Sequence, residues 1–208
     1  MNEKLKSEFV IDFRKHLSRE FYLQPTEWVA RNLIGKVLIR KVENQYVAAM
    51  IVETEAYLSE NDFASHSAVG RTNRNKAMFE RGGIVYVYKI YGVHHCVNFV
   101  TEVEGKGCAV LIRAGFPLVG IELFEQLGSN RRVERLLSGP GNFARGFRFS
   151  LADNGKSLVS EDLFVQEYQN FSDGEIGISQ RIGIVKSKEL PLRFYLRGCK
   201  SVSVNPRE

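Results

Sequence analysis

Two glutamates lie at the end of an apolar run and are followed by an aromatic residue. The run covers residues 50–57, and within it Glu53, Glu55 and Tyr57 occupy every second position. Because the side chains of a strand alternate between its two faces, this spacing predicts that all three share one face. A carboxylate held on a rigid strand can serve as a general base toward water, an effect worth about 10²–10⁴ in rate. The alternative is an exposed strand end that carries two solvated charges.

A second segment, residues 84–98, combines tyrosines, histidines and a lysine around Gly92. Glycine supplies the conformational freedom of a tight turn, so we expect Tyr91 at or beside the tip of a hairpin. Proteins that deform DNA through the minor groove insert side chains between stacked bases, and an exposed Tyr91 beside Lys89 would suit that task. The alternative is a tyrosine folded back onto the sheet.

The elements that must position these residues are hairpins and short helices. Strands are predicted at 36–42, 46–57, 84–91, 94–103, 109–113, 163–167, 193–196 and 201–204. Helices are predicted at 25–33, 118–127 and 142–147, and residues 62–79 are expected to form a loop or short helices. Hairpins outnumber βαβ crossovers, which indicates an α+β fold with a mainly antiparallel, curved sheet, flanking helices and a protruding β-hairpin. We expect a loosely attached lead-in at residues 1–20 and a single domain at residues 21–208.

The charge of the chain is unevenly distributed. It has 208 residues, 44% of them hydrophobic, and 29 Lys and Arg against 24 Asp and Glu, which gives a formal net charge of +5. Residues 71–91 and 131–150 each hold five basic residues against one acidic residue, whereas residues 151–180 hold six carboxylates against one lysine. This alternation favours a polarised surface with a footprint for a polyanion. The alternative is solvated charge spread evenly around the molecule.

The cysteines and the hydropathy pattern limit the other classes of protein. Cys96, Cys108 and Cys199 are far apart and odd in number, so neither a disulfide scaffold nor a zinc site is indicated. No apolar run reaches the roughly 18 residues of a membrane span, and no signal-peptide core is present. We therefore expect a soluble intracellular protein that does not bind membranes. It would be cytoplasmic and associated with the nucleoid if bacterial, and nuclear if eukaryotic.

Several segments, taken together and in order, resemble the alkyladenine (3-methyladenine) DNA glycosylases. The resemblance covers residues 21–204, nearly the whole chain. Its motifs are IVETEAY at 51–57, ASHS at 64–67, RN at 74–75 with MF at 78–79, YVY at 86–88 leading to Asn98, VLIRA at 110–114, SGPG at 138–141, RIGI at 181–184 and LRFY at 192–195. One such tetrapeptide would be a weak signal, but this many in register make the match specific.

The resemblance implies a role for each matching residue of the site. Glu55 corresponds to the general base that activates water for attack on the anomeric carbon of the sugar, and Arg113 to the arginine that helps to hold this water. Tyr57, His66 and Tyr88 correspond to the residues that sandwich the flipped base, and His66 also binds the edge of that base.

Further matching residues concern selectivity and the DNA backbone. Asn98 corresponds to the residue that crowds the exocyclic amino group of guanine, and Tyr91 to the intercalating tyrosine. Four residues match positions where the family meets phosphates: Arg74, Ser138, Gly139 and Asn142. Two departures are a compact loop between residues 66 and 78, and a histidine at position 94 where a bulkier aromatic can occur in relatives.

These inferences lead to one hypothesis and two alternatives. We expect a monomeric, monofunctional glycosylase that needs no cofactor and no metal and acts on double-stranded DNA containing damaged purines of the 3-methyladenine, 7-methylguanine or hypoxanthine type. One alternative is a nucleic-acid-binding module that kept the fold and lost the chemistry. The other makes Glu53, Glu55 and Asp62 the metal ligands of a nuclease, whose cleavage would be lost in a chelator.

Overall fold

The computed structural model describes residues 9–90, 92–126 and 132–204, and over these residues the chain forms eight strands and four α-helices. The strands are β1 (Val37–Val42), β2 (Gln45–Tyr57), β3 (Val85–Ile90), β4 (His94–Thr101), β5 (Cys108–Val119), β6 (Leu163–Gln166), β7 (Ile176–Ser179) and β8 (Arg193–Leu196). The helices are α1 (Arg19–Tyr22), α2 (Thr26–Asn32), α3 (Ile121–Glu125) and α4 (Pro140–Gly146). The predicted class is confirmed, because all of the strand pairs are antiparallel and join in one open sheet.

The strand order places β2 at the centre of the sheet. The order is β3-β4-β5-β2-β1-β6, and β8 pairs with both β2 and β7. The first half of β2 pairs with β1 through Gln45–Met50, and its second half pairs with β8 through residues 53–55, while β5 runs along its other side. Residues 47–52 of β2 are completely buried, as expected of a strand covered on both faces. The two glutamates therefore lie in the interior of the sheet.

An irregularity in the pairing of β2 with β5 lies beside the glutamates. The register shifts between Glu53 and Thr54, where Ala114 pairs with the former and Ile112 with the latter. Arg113 is thus an extra residue on β5. Bulges of this kind redirect a side chain out of the ordinary alternation. Here the bulge lies where the guanidinium of Arg113 reaches both carboxylates of β2.

Some elements of the structure differ from the prediction. The predicted strand at 201–204 is wrong: these residues form turns and bends, and their backbone groups bond to side chains rather than to a neighbouring strand. Strand β7 was not predicted, since it is short and contains Gly177, whose missing side chain leaves room for the ring of Tyr195. The predicted helix at 118–127 shortens to α3 because β5 continues to Val119.

The N-terminal segment contacts the sheet at β6. The backbone amide of Leu17 donates to the carbonyl of Val165, and the Leu17 side chain is buried. The boundary at residue 20 stays a prediction. None of the helices in the described ranges is long and apolar enough to cross a membrane.

Candidate active site

A cavity of about 370 Å³ opens between the β3–β4 hairpin, the C-terminal end of β2, the N-terminal half of β5 and the start of α4. Two irregular segments, residues 64–78 and 182–184, complete its walls. Six of the predicted site residues line this cavity: Tyr57, His66, Arg74, Tyr88, Asn98 and Arg113. The structure thus brings together residues that are up to 56 positions apart in the sequence, counted from Tyr57 to Arg113.

Glu55 is buried behind the lining of the cavity and contacts three of its groups. Its Oε1 accepts a hydrogen bond from the backbone amide of Ile182 at 2.7 Å and lies 3.2 Å from Nη1 of Arg113. Its Oε2 accepts a hydrogen bond from the hydroxyl of Tyr57 at 3.0 Å. Burial raises the pKa of Glu55, and the positive charge of Arg113 opposes this rise. A carboxylate with a raised pKa binds a proton more strongly than an ordinary glutamate does, which suits a general base.

Glu53 shares the face of Glu55 but has a different environment. Its Oε1 accepts hydrogen bonds from Nε of Arg113 at 3.0 Å and from Nε of Arg193 at 2.8 Å. The backbone amide of Ser203 donates to Oε2 at 2.6 Å, and its hydroxyl donates to Oε1 at 2.9 Å. The shared face is therefore confirmed, and the alternative of an exposed, solvated strand end is wrong because both side chains are completely buried. Glu53 acts as the counter-ion of two buried arginines.

The aromatic wall of the cavity consists of His66 and the two tyrosines of β3. The rings of His66 and Tyr88 pack edge to face with their centroids 4.5 Å apart, and Nδ1 of His66 lies 2.9 Å from the hydroxyl of Tyr86. Burial, with a smaller effect from Arg74, lowers the pKa of His66. The lowered pKa favours the neutral imidazole, and the hydrogen bond with Tyr86 fixes the orientation of the ring.

Asn75 holds the segment that carries His66. Its amide nitrogen donates to the carbonyls of His66 at 2.8 Å and of Gly70 at 2.9 Å, and its amide oxygen accepts from the backbone amide of Thr72 at 2.6 Å. No role of its own was predicted for Asn75 from the sequence. The signal was its place in the matching RN motif, and the structure shows that its contacts are with the backbone of this segment.

Arg181 forms the support behind Tyr57 and was also missed as a site residue. Its guanidinium makes two hydrogen bonds of 2.6 Å to the carboxylate of Asp62, donates to the carbonyl of Ala56 at 2.9 Å, and lies 4.6 Å from the centroid of the Tyr57 ring. Both side chains of the ion pair are completely buried. The pair therefore fixes the segment that brings the amide of Ile182 to the strand carboxylate.

The nuclease alternative has no support in this geometry. Both carboxylate oxygens of Asp62 bind Arg181, and those of Glu53 bind two arginines and Ser203. Across the described ranges, no three His, Cys, Asp or Glu side chains are grouped so that they could hold a metal ion. The three cysteines are unpaired and buried.

Asn98 lies on β4 and takes part in both the cavity and the hairpin. Its side chain lines the cavity, and its amide nitrogen donates to the carbonyl of Tyr86 on the paired strand at 3.1 Å. The residue is 4% exposed, so this hydrogen bond satisfies a buried carbonyl. Asn98 thus lines the cavity and also links the two strands of the hairpin.

The residues matched to phosphate contacts lie on two sides of the cavity. The amide of Asn142 donates to the carbonyl of Ser138 at 2.7 Å, and Gly139 has a positive φ of 96° where the chain turns into α4. Arg74 lines the cavity on the other side, with Nη2 3.4 Å from the carbonyl of Lys89. Tyr91, the predicted intercalating residue, lies outside the described residues.

Comparison with known proteins adds an independent finding. The family model of the methylpurine-DNA glycosylases matches residues 20–200. A protein of Chlorobaculum parvum is 41% identical over 190 residues, which cover 91% of each chain, and one of Prosthecochloris aestuarii is 42% identical over 179 residues, which cover 86% of each chain. A protein of Methanocella arvoryzae is 42% identical over 90% of this chain and 95% of its own. All three carry the name "Putative 3-methyladenine DNA glycosylase".

Proposed function

Because this chain belongs to the methylpurine-DNA glycosylase family, we propose that it flips alkylated or deaminated purines out of duplex DNA and hydrolyses the bond between base and sugar. The family makes it a DNA glycosylase of base-excision repair. The lesions that we assign to it are of the 3-methyladenine, 7-methylguanine and hypoxanthine type. The proposal about mechanism rests chiefly on one observation: Glu55, with Arg113 beside it, contacts the lining of an aromatic cavity.

The cavity suits a base that has left the helix. A duplex hides the glycosidic bond, so an enzyme must extrude the nucleotide at a cost of a few kcal/mol. Stacking on aromatic side chains contributes about 1–3 kcal/mol per base, and Tyr57, His66 and Tyr88 are the rings that we assign to this task. Many alkylated purines are cations, which electron-rich rings bind better than neutral bases. Tyr91 would fill the gap left in the stack and so offset part of the cost of flipping.

Hydrolysis would then proceed at the floor of the cavity. Glu55 accepts a proton from water as the water oxygen bonds to the anomeric carbon, and the bond to the base breaks with its electron pair leaving on the purine. The negative charge of Glu55 also stabilises the positive charge that develops on the sugar. Arg113 orients the water. Among the described residues, the groups in contact with Glu55 are a guanidinium, a phenol and an amide, and none of them is a lysine that could form a Schiff base. This supports our proposal that water is the nucleophile and that the enzyme is monofunctional.

The surface around the cavity would bind the DNA backbone. We assign phosphate contacts to Arg74 on one side and to Ser138, Gly139 and Asn142 on the other. The backbone N–H groups that precede α4 and the side-chain amide of Asn142 can donate hydrogen bonds to phosphate oxygens. We propose that the protein acts on DNA as a monomer and without a cofactor.

The alternative of a non-catalytic DNA-binding module needs the chemistry to have been lost. Glu55 and Arg113 are both present and in contact at 3.2 Å, which favours the enzyme. The test is release of free base from duplexes that contain single modified purines, at enzyme in excess over DNA and in the presence of EDTA. Excision of at least one lesion by the wild type, with intact sugar–phosphate backbone, supports the proposal. Binding without release of any base supports the module instead.

A further inference from the structure

We propose that Ser203 is a positioning residue for catalysis, which holds Glu53 so that the guanidinium of Arg113 stays between the two strand carboxylates. This proposal rests on the proposed function. Ser203 does not line the cavity, and it would act only through the residues that it contacts.

The contacts of Ser203 converge on the arginine of the site. Its backbone amide and hydroxyl both donate to Glu53, at 2.6 and 2.9 Å, and its hydroxyl oxygen lies 3.4 Å from Nη2 of Arg113. Arg113 in turn places Nε on Glu53 and Nη1 near Glu55. The three nitrogen atoms of this guanidinium therefore face three different partners, which fixes its plane.

The segment that carries Ser203 is itself held by arginines. Nη1 of Arg135 donates to the carbonyls of Lys200 at 3.0 Å and of Val202 at 2.9 Å. Arg193, which also binds Glu53, donates to the carbonyl of Val204. These bonds take the place of the strand pairing that the sequence predicted here. They hold the segment beside the buried carboxylate of Glu53 rather than against another strand.

The balance of charge explains why one hydroxyl would matter. Glu53 and Glu55 together neutralise Arg113 and Arg193 when both carboxyl groups are ionised. Arg113 contacts both carboxylates. A stronger contact with Glu53 therefore weakens the contact between Arg113 and Glu55. Loss of the Ser203 hydroxyl would leave Glu53 with one donor fewer, and we expect its charge to draw Arg113 away from Glu55. Misplacement of a catalytic group by about 1 Å can cost up to about a hundredfold in rate.

The same displacement would alter the pH dependence. The ionisable groups around Glu55 are Glu53 and Tyr57 on β2, Arg113 on β5, and Tyr88 and Cys96 on the β3–β4 hairpin, with Arg181 behind Tyr57. Of these, Arg113 is the positive charge in contact with Glu55, and it opposes the rise of the Glu55 pKa. A weaker contact with Arg113 would therefore raise this pKa further.

The experiment compares Ser203→Ala with a matched serine elsewhere. Ser172 contacts the carboxylate of Glu175 with the same two groups, its backbone amide at 3.0 Å and its hydroxyl at 2.9 Å, but neither residue lines the cavity. Single-turnover rates across pH, and dissociation constants for lesion duplex, would be measured for the wild type, Ser203→Ala, Ser203→Thr and Ser172→Ala. Glu55→Gln serves as the test of the proposed function itself.

We expect Ser203→Ala to lower the plateau rate by about tenfold and to move the acidic limb of the profile to higher pH, with affinity for lesion duplex unchanged. Ser203→Thr keeps the hydroxyl and should recover most of the rate, and Ser172→Ala should behave as the wild type. If Ser203→Ala matches Ser172→Ala in rate and limb while Glu55→Gln is inactive, the function stands and the positioning role is wrong. A wild type that excises no lesion overturns the function, and the positioning role falls with it.

Discussion

The backbone amide of Ile182 donates a hydrogen bond of 2.7 Å to the carboxylate of Glu55, although 127 positions separate the two residues in the sequence. The segment that provides this amide is fixed by the buried ion pair between Arg181 and Asp62. A carboxylate on β2 is thus held by a segment that is distant from it in the sequence. Contacts of this kind restrict the rotamers of Glu55, which is what a preorganised general base requires.

The first prediction compares the two glutamates of β2. Glu55→Gln should reduce base release below detection while the affinity for lesion duplex stays within about tenfold, because the charge serves the chemical step more than binding. Glu53→Gln should instead reduce stability, by about 3–5 kcal/mol, because it leaves the buried Arg193 without its counter-ion and leaves Arg113 with the carboxylate of Glu55 alone. Urea unfolding and single-turnover rates on the same preparations separate the two effects. Near wild-type release by Glu55→Gln would show that another group is the base.

The second prediction concerns pH. Burial raises the pKa of Glu55, and the proposed mechanism needs the ionised form. The single-turnover rate should therefore fall as pH decreases through a value above the usual range of a glutamate. A raised folded-state pKa also means that the folded protein binds this proton more strongly than the unfolded chain does. Protonation of Glu55 then stabilises the fold as pH falls, and a rise in pH through the raised pKa removes that contribution.

The measurement for this prediction is a rate–pH profile, read beside unfolding curves for the wild type and Glu55→Gln. The variant has no proton to bind at this position, so its stability should lack the contribution that the wild type gains toward low pH. A rate profile that stays flat down to the ordinary range of a glutamate would contradict the assignment. The dissociation constant for lesion duplex, measured over the same range, serves as the control for changes in binding.

The alternation of side chains predicted the strand face, but nothing in the sequence predicted how the surroundings of its two carboxylates differ. Alternation along β2 is a local property, so the shared face of Glu53 and Glu55 followed directly from their spacing. What distinguishes them comes from Arg193 and Ser203, 140 and 150 positions further along the chain. No local sequence pattern predicts contacts between residues so far apart in the chain. The same distance explains the error at 201–204, where serine and valine alternate as in a strand but the backbone groups bind arginines and Glu53.

The third prediction tests the support behind Tyr57. Arg181→Met should destabilise the fold by about 3–5 kcal/mol, because Asp62 would be left as a buried charge without its counter-ion. Its matched control is Arg71→Met, which breaks the exposed pair with Glu80 and should cost about 0–1 kcal/mol. Thermal or urea unfolding of both variants measures the difference. Equal and small losses would mean that the buried pair adds little to the fold and that the position of the Ile182 amide depends on other contacts.

The fourth prediction asks whether Asn98 excludes normal guanine. Its side chain lines the cavity, and its amide also donates to the carbonyl of Tyr86 on the neighbouring strand. If the side chain occupies space that the exocyclic amino group of guanine would need, selectivity comes from exclusion rather than from added attraction. Asn98→Ser shortens the side chain, so it should raise excision of purines that carry the amino group, including slow attack on normal guanine. Hypoxanthine lacks that group, and its excision should gain little.

The hydrogen bond to Tyr86 offers the competing explanation, and the chain contains a matched control for it. Asn154 holds the same strand by the same chemistry: its amide donates to the carbonyl of Val87 at 2.9 Å and accepts from the Val87 amide at 2.8 Å, yet it does not line the cavity. Loss of the buried hydrogen bond of Asn98 costs about 1–3 kcal/mol, and Asn154→Ser removes bonds of the same kind that are partly buried. Asn154→Ser should therefore lower stability without changing the ratio of rates on guanine-type and hypoxanthine duplexes. If Asn98→Ser only lowers both rates in parallel, as expected for the control, Asn98 holds the hairpin and does not select the base.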